Sequence, residues 1–345
     1  MQNRVELHLH MDGSLSKTTV NTLVNKNYHV LTDAEKALFE KGELFDSISG
    51  SKCDSLSDYL KKFDLPCRLL QQPEDVATAF ENLVKELAEQ GVLYAEIRFA
   101  PQLHSVNVPL HNQLAHEMEI VEAAILGINR GKLGKKIVVN IILCCMRNLP
   151  DGIEGFFANE RNIFLANEFL GRGVCAIDLA GAEARDATSE FESIFKFAKK
   201  LDIPFTIHAG ESGDPAWMKE SLESAIEFGA KRIGHGVGLM YSLDLQKEVC
   251  EKGITVECCL KSNLDTKAIN SLVEHPAKWL YNLGIHVTLN TDNMTVSSTN
   301  LANEYELAKS IGFTERDIAK MQDYALEAAF MTESQRKEIK KWIKR

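Results

Sequence analysis

Four side chains that could bind one metal ion stand far apart in the sequence, and each lies at or near the end of a short apolar segment. His8 and His10 close the segment VELHLH, His208 ends IPFTIH, and Asp292 follows HVTLNT. Two histidines two residues apart lie on the same face of a strand, so both imidazoles can reach a common ion. Three imidazole nitrogens and a carboxylate oxygen suit Zn²⁺, and suit Fe²⁺ or Co²⁺ less readily. One such histidine would indicate only a hydrogen-bonded core residue, but four groups at strand ends predict a metal site.

Glu211 follows His208 by three residues, within the sequence HAGE, and could supply the other half of a hydrolytic reaction. A single metal ion lowers the pKa of a bound water towards neutrality and makes hydroxide available as a nucleophile. The attacked group is activated when a carboxylic acid of raised pKa protonates it. We therefore interpret Glu211 as a proton donor, and the alternative is an exposed loop glutamate.

Three further positions surround this predicted site. His235, between two glycines in RIGHG, could be a fifth ligand, but we favour a role in steering the hydroxide and stabilising its charge. Asp12 directly follows the first histidine pair and places a carboxylate at the rim of the site. Gly181, in DLAGAE, could offer its backbone N–H to a ligand or serve only as a turn. The overlapping segment CAIDLAG has no lysine that could be carbamylated to bridge two ions, which favours one metal ion.

These residues must be positioned by the short apolar segments that precede them, which alternate along the chain with longer amphipathic patterns. The predicted strands are Val5–His10, Leu93–Ala100, Ile137–Met146, Val174–Gly181, Pro204–Ala209, Arg232–Gly236, Ile254–Leu260 and His286–Thr291. The predicted helices include Glu74–Gln90, Asn112–Arg130, Thr188–Leu201, Ala216–Phe228 and Leu243–Lys252. Eight parallel strands with crossover helices predict a (β/α)₈ barrel, formed by one domain over residues 1–345, whose functional groups meet at the C-terminal strand ends.

Two segments of the chain are additional to the eight strands and helices of a simple barrel. Residues 11–73 are far too long for an ordinary loop between a strand and a helix. We interpret them as a helical lid, with helix-like pieces at Asp33–Lys41 and Ser57–Phe63 and a candidate pocket wall at Leu56, Phe63 and Leu65. The alternative is a purely structural insertion. Residues 300–345 predict additional C-terminal helices.

Charge and composition indicate the class of partner. The net charge of −10 and the lack of a basic stripe argue against nucleic acid or an anionic membrane, which leaves a small molecule. The N-terminal MQNRVELHLHMDG lacks the pattern of a signal peptide, and no run of eighteen apolar residues occurs, so we expect a cytoplasmic protein. The eight cysteines are expected to be reduced thiols. The oligomeric state is left open.

The motifs VELHLHMDG, LYAEIRFAP, CCMRNLP, AIDLAGAE, HAGE, IGHG, KSN and LNTDN, in this order, resemble the adenosine deaminase family, which includes AMP deaminases, of the amidohydrolase superfamily. The resemblance runs from Val5 to about Phe330. It implies one zinc ion per chain and four zinc ligands, which are His8, His10, His208 and Asp292. It also implies that Glu211 protonates purine N1 while a zinc-bound hydroxide attacks C6, that Asp292 takes the proton of the water, and that His235 assists the hydroxide. Loss of ammonia then gives inosine.

The resemblance implies substrate contacts as well. Asp12 would bind a ribose hydroxyl, Gly181 the purine N3, and His10 would lie against the substrate. Asn293 stands where many relatives have a second aspartate, and its amide could donate a hydrogen bond to N7 as a protonated acid does.

The substrate preference is open between several purines. Relatives often have Pro and Thr at the positions of Leu260 and Lys261, which directly precede Ser262 and Asn263. The motifs therefore leave open the preference among adenosine, 2′-deoxyadenosine, adenine, N6-methylated adenosine and AMP. A catalytically inactive metal-binding barrel is the remaining alternative. The His-x-Glu and PCxxC signature of zinc deaminases that edit nucleic-acid bases is absent from the sequence, which argues against a nucleic-acid editor.

Overall fold

The computed structural model describes residues 4–50, 53, 55–147 and 153–343, so the two chain ends and Asn148, Leu149 and Pro150 of the CCMRNLP motif lie outside the described residues. Every predicted strand is found. Within the described ranges the eight strands are β1 Arg4–His10, β2 Val92–Phe99, β3 Val138–Met146, β4 Val174–Ala180, β5 Thr206–Ala209, β6 Arg232–His235, β7 Thr255–Cys258 and β8 Val287–Leu289.

The strands form two parallel sheets of four in chain order, β1 to β4 and β5 to β8. Single parallel bridges join the sheets at both edges, between Ile177 and Phe205 and between Leu9 and Asp292. The predicted α/β fold with parallel strands in sequence order is therefore confirmed. The last four strands are shorter than predicted; β8 ends at Leu289, so Asp292 lies three residues beyond it rather than at its end.

Helices separate the strands and cover the outside of the sheets. From the first strand to the third, they are α1 Lys17–Lys26, α2 Asp33–Glu40, α3 Leu44–Ile48, α4 Leu56–Leu60, α5 Asp64–Leu69, α6 Pro73–Glu89 and α7 Leu110–Gly131. The others are α8 Ile153–Phe169, α9 Glu192–Lys200, α10 Pro215–Phe228, α11 Leu243–Glu251, α12 Leu260–Asp265, α13 Ala277–Asn282, α14 Leu301–Ser310, α15 Glu315–Ala328 and α16 Glu333–Ile343. None of the described helices is long and apolar enough to cross a membrane.

Two predictions of helices need correction. The helix predicted over Thr188–Leu201 begins as a 3₁₀ turn at Thr188–Phe191 and becomes α9 only at Glu192. Helix α8 was not predicted, because its apolar residues do not keep to one face: Phe157 and Phe164 are about half exposed. Helices also occupy the insertion between β1 and α6, as predicted, while its action as a lid stays a prediction.

Local signals set the bounds of helix α10, which follows the HAGE segment. The Asp214 side chain accepts hydrogen bonds from the backbone N–H groups of Ala216 and Trp217, and Pro215 occupies the first helical position. These features satisfy or remove amide donors that a helix N-terminus leaves unpaired. Gly229 ends the helix in a left-handed conformation with φ of 79°. The loop that carries Glu211 therefore lies between β5 and a helix whose N-terminus is well capped.

The C-terminal helices close the N-terminal end of the barrel. The side-chain oxygen of Gln322, on α15, accepts a hydrogen bond from the backbone N–H of Val5 at 2.8 Å. Val5, Leu7 and Tyr94 pack against Ala325 and other apolar residues of the C-terminal helices. Beneath the strands, Arg232 lies 3.9 Å from the ring centroid of Phe330 and donates to the carbonyl of Ala328 at 3.0 Å, so the segment after α15 covers the end of the barrel opposite to the predicted site.

Helices α6 and α7 pack with their backbones close together. A Cβ atom on Gly127 of α7 would lie 2.3 Å from the carbonyl oxygen of Ala77 and 2.9 Å from Cβ of Phe80. One turn later, a Cβ on Gly131 would lie 2.6 Å from the carbonyl oxygen of Glu81. Glycine is therefore needed at both positions for the two helices to reach this distance.

We predict that Gly127→Ala lowers the free energy of unfolding by about 1–3 kcal/mol, because the added methyl group forces the helices apart. This is the net loss, after the roughly 1 kcal/mol that alanine gains over glycine in helix propensity has been subtracted. Urea unfolding followed by circular dichroism measures the difference. The control is Asn129→Ala on the exposed face of α7, which should not destabilise the protein. An unchanged unfolding midpoint for Gly127→Ala would contradict the close packing.

Candidate metal centre and acid–base site

The four predicted ligands lie together at the C-terminal ends of the strands. The Nε2 atoms of His8 and His10 each lie 3.1 Å from Nε2 of His208 and 3.4 Å from Oδ1 of Asp292. All four donor atoms lie within 4.8 Å of one another. Four atoms at tetrahedral positions about 2.0–2.1 Å from a Zn²⁺ ion would be about 3.3–3.4 Å apart. The donor set therefore fits one ion of this size.

Backbone hydrogen bonds bring Asp292 to the histidines of β1. Its N–H donates to the carbonyl of His8 at 2.8 Å, and its carbonyl accepts from the N–H of His10 at 2.7 Å. Asp292 has a φ of 58° and His235 a φ of 66°, in the left-handed region that non-glycine residues rarely adopt. Such strained residues cluster at functional sites, where the surrounding structure holds them in place.

Two carboxylates orient the ligand histidines from behind. Oε2 of Glu257 lies 2.8 Å from Nδ1 of His8, and Oδ2 of Asp178 lies 2.8 Å from Nδ1 of His208. Both carboxylates are fully buried. A carboxylate at Nδ1 leaves Nε2 without its proton and turned towards an ion, and it makes the imidazole a stronger ligand. Both histidines therefore present Nε2 to the candidate metal site.

Two buried arginines neutralise these carboxylates. Arg98 contacts Asp178 at 2.7 Å and Glu257 at 3.0 Å, and Arg232 pairs with the other oxygen of Glu257 and with Glu96. Burial alone would raise the pKa of Glu257, but the charges of Arg98 and Arg232 hold it well below its usual range. Glu257 is therefore ionised and can accept a hydrogen bond from His8.

Glu211 lies beside His235 in the same cavity. Its side chain is buried, with only 5% of the residue exposed, so the exposed-loop alternative is wrong. Oε2 of Glu211 lies 3.3 Å from Nε2 of His235. Burial raises the pKa of Glu211 to about 8; the charge of His208 opposes the shift and that of Asp292 adds to it. Glu211 therefore carries its proton at neutral pH.

His235 is held as a neutral imidazole. Burial lowers its pKa well below the usual value, and its Nδ1 accepts a hydrogen bond from the side-chain amide of Asn263 at 2.9 Å. The remaining proton is then on Nε2, which faces Glu211.

A Cβ atom on Gly234 would lie 2.9 Å from Cε1 of His8, so the glycine beside His235 is needed for the ring of His8 to fit.

A cavity of about 1130 Å³ opens above these residues. The residues predicted to act on or bind a substrate all line it, together with the predicted ligand His208, and they are His10, Asp12, Gly181, Glu211, His235, Asp292 and Asn293. Leu56, Phe63 and Leu65 of the insertion line its wall, as the sequence predicts. The insertion therefore forms part of the cavity wall on that side.

Several polar atoms of the residues that line the cavity have no hydrogen-bond partner among the described residues, and two of these atoms belong to predicted substrate-binding residues. Oδ1 of Asp12 and Oδ1 of Asn293 are buried without a hydrogen bond. Most buried polar atoms are paired, so unpaired ones in a cavity indicate contact with a ligand or water. A Cβ atom on Gly13 would lie 1.8 Å from Oδ1 of Asn293, which shows that only glycine at position 13 leaves room for this amide.

A family model described as adenosine deaminase matches residues 3–345. The chain belongs to the adenosine deaminase family. Curated members of the family include the adenosine deaminase of Haemophilus ducreyi, which is 37% identical over 340 residues and covers 97% of this chain and 94% of its own. The adenosine deaminase of Clostridium perfringens is 36% identical over 339 residues, covering 98% of this chain and 96% of its own.

Solved structures of deaminases share the fold of this family member. The N6-methyl-AMP deaminase of Arabidopsis superimposes with a TM-score of 0.82 at 27% identity, covering 99% of this chain and 98% of its own. Arabidopsis ADAL in complex with IMP gives a TM-score of 0.82 at 26% identity, over 99% of this chain and 96% of its own. These structures support the α/β barrel that the strand order predicts.

Sequence reasoning missed the charged residues beneath the metal centre of this adenosine deaminase family member. Arg98, Asp178, Arg232 and Glu257 lie inside apolar strand segments and are fully buried. A charged residue within an apolar strand pattern is rare unless it is paired, and this was the available signal. The pairing itself could not be predicted, because the partners are on different strands.

We predict that Glu257→Gln lowers the metal affinity of this adenosine deaminase family member about 10–100-fold, because His8 loses its anionic partner. Metal affinity is measured by competition with a chromophoric chelator. The control is Glu304→Gln, the same change at another buried glutamate, which accepts hydrogen bonds from Thr299 and Lys261. Equal metal affinities for the two variants would contradict the orienting role of Glu257.

Proposed function

We propose that this chain hydrolyses adenosine, and 2′-deoxyadenosine, at purine C6 to give the inosine product and ammonia. The proposal includes one Zn²⁺ ion, with His8, His10, His208 and Asp292 as its ligands. The observation that carries it is that three of these proposed ligands, a protonated Glu211 and a neutral His235 line one cavity, while the fourth ligand, His8, is buried with its Nε2 beside that of His208. When bound, the ion would make hydroxide available at neutral pH. The curated adenosine deaminases described above support the choice of substrate.

Glu211 is the proton donor in this proposal. Since its pKa is near 8, the carboxyl group is largely protonated at neutral pH and can donate to N1 of the purine. Protonation of N1 draws electrons from C6 and makes that carbon more electrophilic. A general acid in this position typically contributes about 10²–10⁴-fold to the rate.

Asp292 and His235 act on the other reactant. Burial would raise the pKa of Asp292, but the hydrogen bond from His8 and the neighbouring imidazoles hold it well below its usual range. Asp292 is therefore ionised and able to accept the proton of the attacking water. His235 presents an N–H at Nε2 and can hold the nucleophile on the face of the purine that is attacked, while stabilising negative charge on it.

The remaining cavity residues bind the nucleoside. Oδ1 of Asp12 is unpaired and can accept a hydrogen bond from a ribose hydroxyl. Gly181 lies at the cavity wall, and in this proposal its backbone N–H donates to N3; its φ of 102° suits glycine. The amide of Asn293 can donate to N7, and His10, which is a ligand, also lies against the base.

Lys61, Lys62 and Arg68 are three of the five described lysines and arginines at the cavity wall, and the partners of these three favour a nucleoside over a nucleotide. Lys61 pairs with Asp58 at 2.8 Å, Arg68 pairs with Glu35, and the amine of Lys62 donates to the carbonyl of Gly50. A phosphate would have to compete with these partners. Adenosine is therefore preferred to AMP in this proposal, although the Arabidopsis relative acts on a methylated AMP.

We also propose that the reaction takes place in the cytoplasm. All eight cysteines are free thiols, and six of them are buried. Reduced thiols persist in the cytoplasm, where glutathione and thioredoxin keep them from forming disulfides.

We predict that Glu211→Gln lowers kcat for adenosine about 10²–10⁴-fold, because the amide cannot transfer a proton to N1. In the wild type, kcat/KM should fall as pH rises through the pKa of Glu211, since only the protonated form acts. This fall is expected at or below pH 8, because a nearby dication would lower the pKa of Glu211. Loss of absorbance near 265 nm follows the reaction, and metal analysis confirms that the variant keeps its ion. Full activity in Glu211→Gln would eliminate the mechanism.

We predict that kcat/KM is higher for adenosine and 2′-deoxyadenosine than for adenine, AMP or N6-methyl-AMP. Asp12 can bind a ribose hydroxyl, which adenine lacks, whereas Lys61 and Lys62 already have partners and are not free to bind a phosphate. Ammonia release from each purine measures this order. A preference for AMP or its methylated form would assign the chain to nucleotides instead. Turnover of none of them by the metal-loaded protein would indicate an inactive barrel.

A further inference from the structure

Glu183 makes an unusual contact with the loop that carries the acid. It follows β4 by three residues, in the sequence DLAGAE, and only 1% of the residue is exposed. Its Oε2 accepts hydrogen bonds from the backbone N–H groups of Glu211 at 2.8 Å and Ser212 at 2.6 Å, and its Oε1 accepts one from the N–H of Gly210. One buried carboxylate therefore binds three consecutive amides.

This contact determines the path of the chain between β5 and α10. Gly210 has a φ of 81°, and a Cβ atom there would lie 3.1 Å from the backbone nitrogen of Gly238. The turn therefore needs glycine, and its amides converge on one point as in a backbone anion-binding nest. Hydrogen bonds from amides to an ionised acceptor are shorter and stronger than neutral ones. Without an acceptor, three amides would be left buried and unpaired.

We propose that Glu183 is a positioning residue that fixes the Gly210–Ser212 turn and so aims the carboxyl group of Glu211 at the reacting base. The inference rests on the proposed function, because it concerns the proton donor of that reaction. Glu183 bonds to the backbone of Glu211, while the side chain of Glu211 extends towards His235. Glu183 thus acts through the acid and has no contact with the substrate in this proposal.

The charge of Glu183 supports the same role. Burial is the main cause that raises the pKa of Glu211, and the negative charges of Asp292 and Glu183 act in the same direction. Arg147, also buried, partly compensates these charges and donates to the carbonyl of His208. A neutral side chain at position 183 would remove one of the negative charges and one or more of the three hydrogen bonds.

The test is Glu183→Gln in the metal-loaded full-length protein. The side-chain NH₂ of glutamine cannot accept a hydrogen bond, so the turn loses at least one anchor and the acid moves. We expect kcat for adenosine to fall on the order of 10²-fold, as for small misplacements of a catalytic group, with KM and metal content close to those of the wild type. A wild-type kcat would overturn the proposal.

Glu220→Gln is the matched control. Glu220 also accepts hydrogen bonds from two consecutive backbone N–H groups, those of Thr188 at 3.0 Å and Ser189 at 2.9 Å, but that loop carries no proposed proton donor. We expect its kcat to stay close to the wild-type value. Equal losses of kcat in the two variants would overturn a specific role of Glu183.

A double-mutant cycle separates positioning from general support of the fold. If Glu183 acts through Glu211, the variant with both Glu183→Gln and Glu211→Gln should have the kcat of Glu211→Gln alone, because there is no longer an acid to position. Losses that multiply would overturn the proposal. Should Glu183→Gln fail to fold, Glu183→Asp keeps the charge with a shorter reach, and an intact fold with unchanged kcat in that variant would equally overturn it.

The cycle also distinguishes this inference from the proposed function. A wild type that deaminates adenosine and a Glu211→Gln variant that does not would establish the acid on their own. Failure of Glu183→Gln to affect kcat would then remove only the positioning role, whereas an inactive metal-loaded wild type would remove the proposed function itself.

Discussion

One buried carboxylate links the metal centre to the rest of the barrel. Glu257 accepts from Nδ1 of His8, pairs with Arg98 through one oxygen, and pairs with Arg232 through the other. Charges removed from water cost several kcal/mol each unless partners replace the lost hydration. Neither the arginines nor the carboxylate would be tolerated alone, so the orientation of His8 is fixed by the same contacts that make a charged barrel interior stable.

Because of this constraint, the two faces of a strand differ: the inward face carries polar and charged residues, and the outward face carries apolar ones. Strand β1 shows the division clearly, because its alternate residues Glu6, His8 and His10 take part in polar contacts, while Val5, Leu7 and Leu9 pack in the apolar clusters. Apolar burial outside the strands stabilises the fold, which allows the inward positions to be used for charge and chemistry. The same alternation places Glu96 and Arg98 of β2 beside partners on other strands.

What the sequence predicts well is local. An apolar segment that ends on His208 or just before Asp292 has a signal within a few residues, and these groups do converge. Contacts between distant segments have no such signal. The partners of Arg98 could not be predicted because Asp178 and Glu257 are 80 and 159 residues away. Asp292 was placed at a strand end, but the chain leaves β8 earlier and pairs with β1 instead, a register that depends on barrel geometry.

Two carboxyl groups in the same cavity have pKa values shifted in opposite directions, and this difference supports the roles proposed for them. Burial raises the pKa of both, but Asp292 is surrounded by imidazoles that more than offset it, whereas Glu211 has Asp292 and Glu183 nearby, whose charges add to the effect of burial. When the environments of two acids push their pKa values apart, the ionised group is the base and the protonated one is the acid. Exchanging the protonation states of the two acids would require moving the histidine cluster across the cavity. Asp292 therefore lies among the histidines, whereas Glu211 lies on the Gly210–Ser212 turn, whose amides bond to Glu183 after β4.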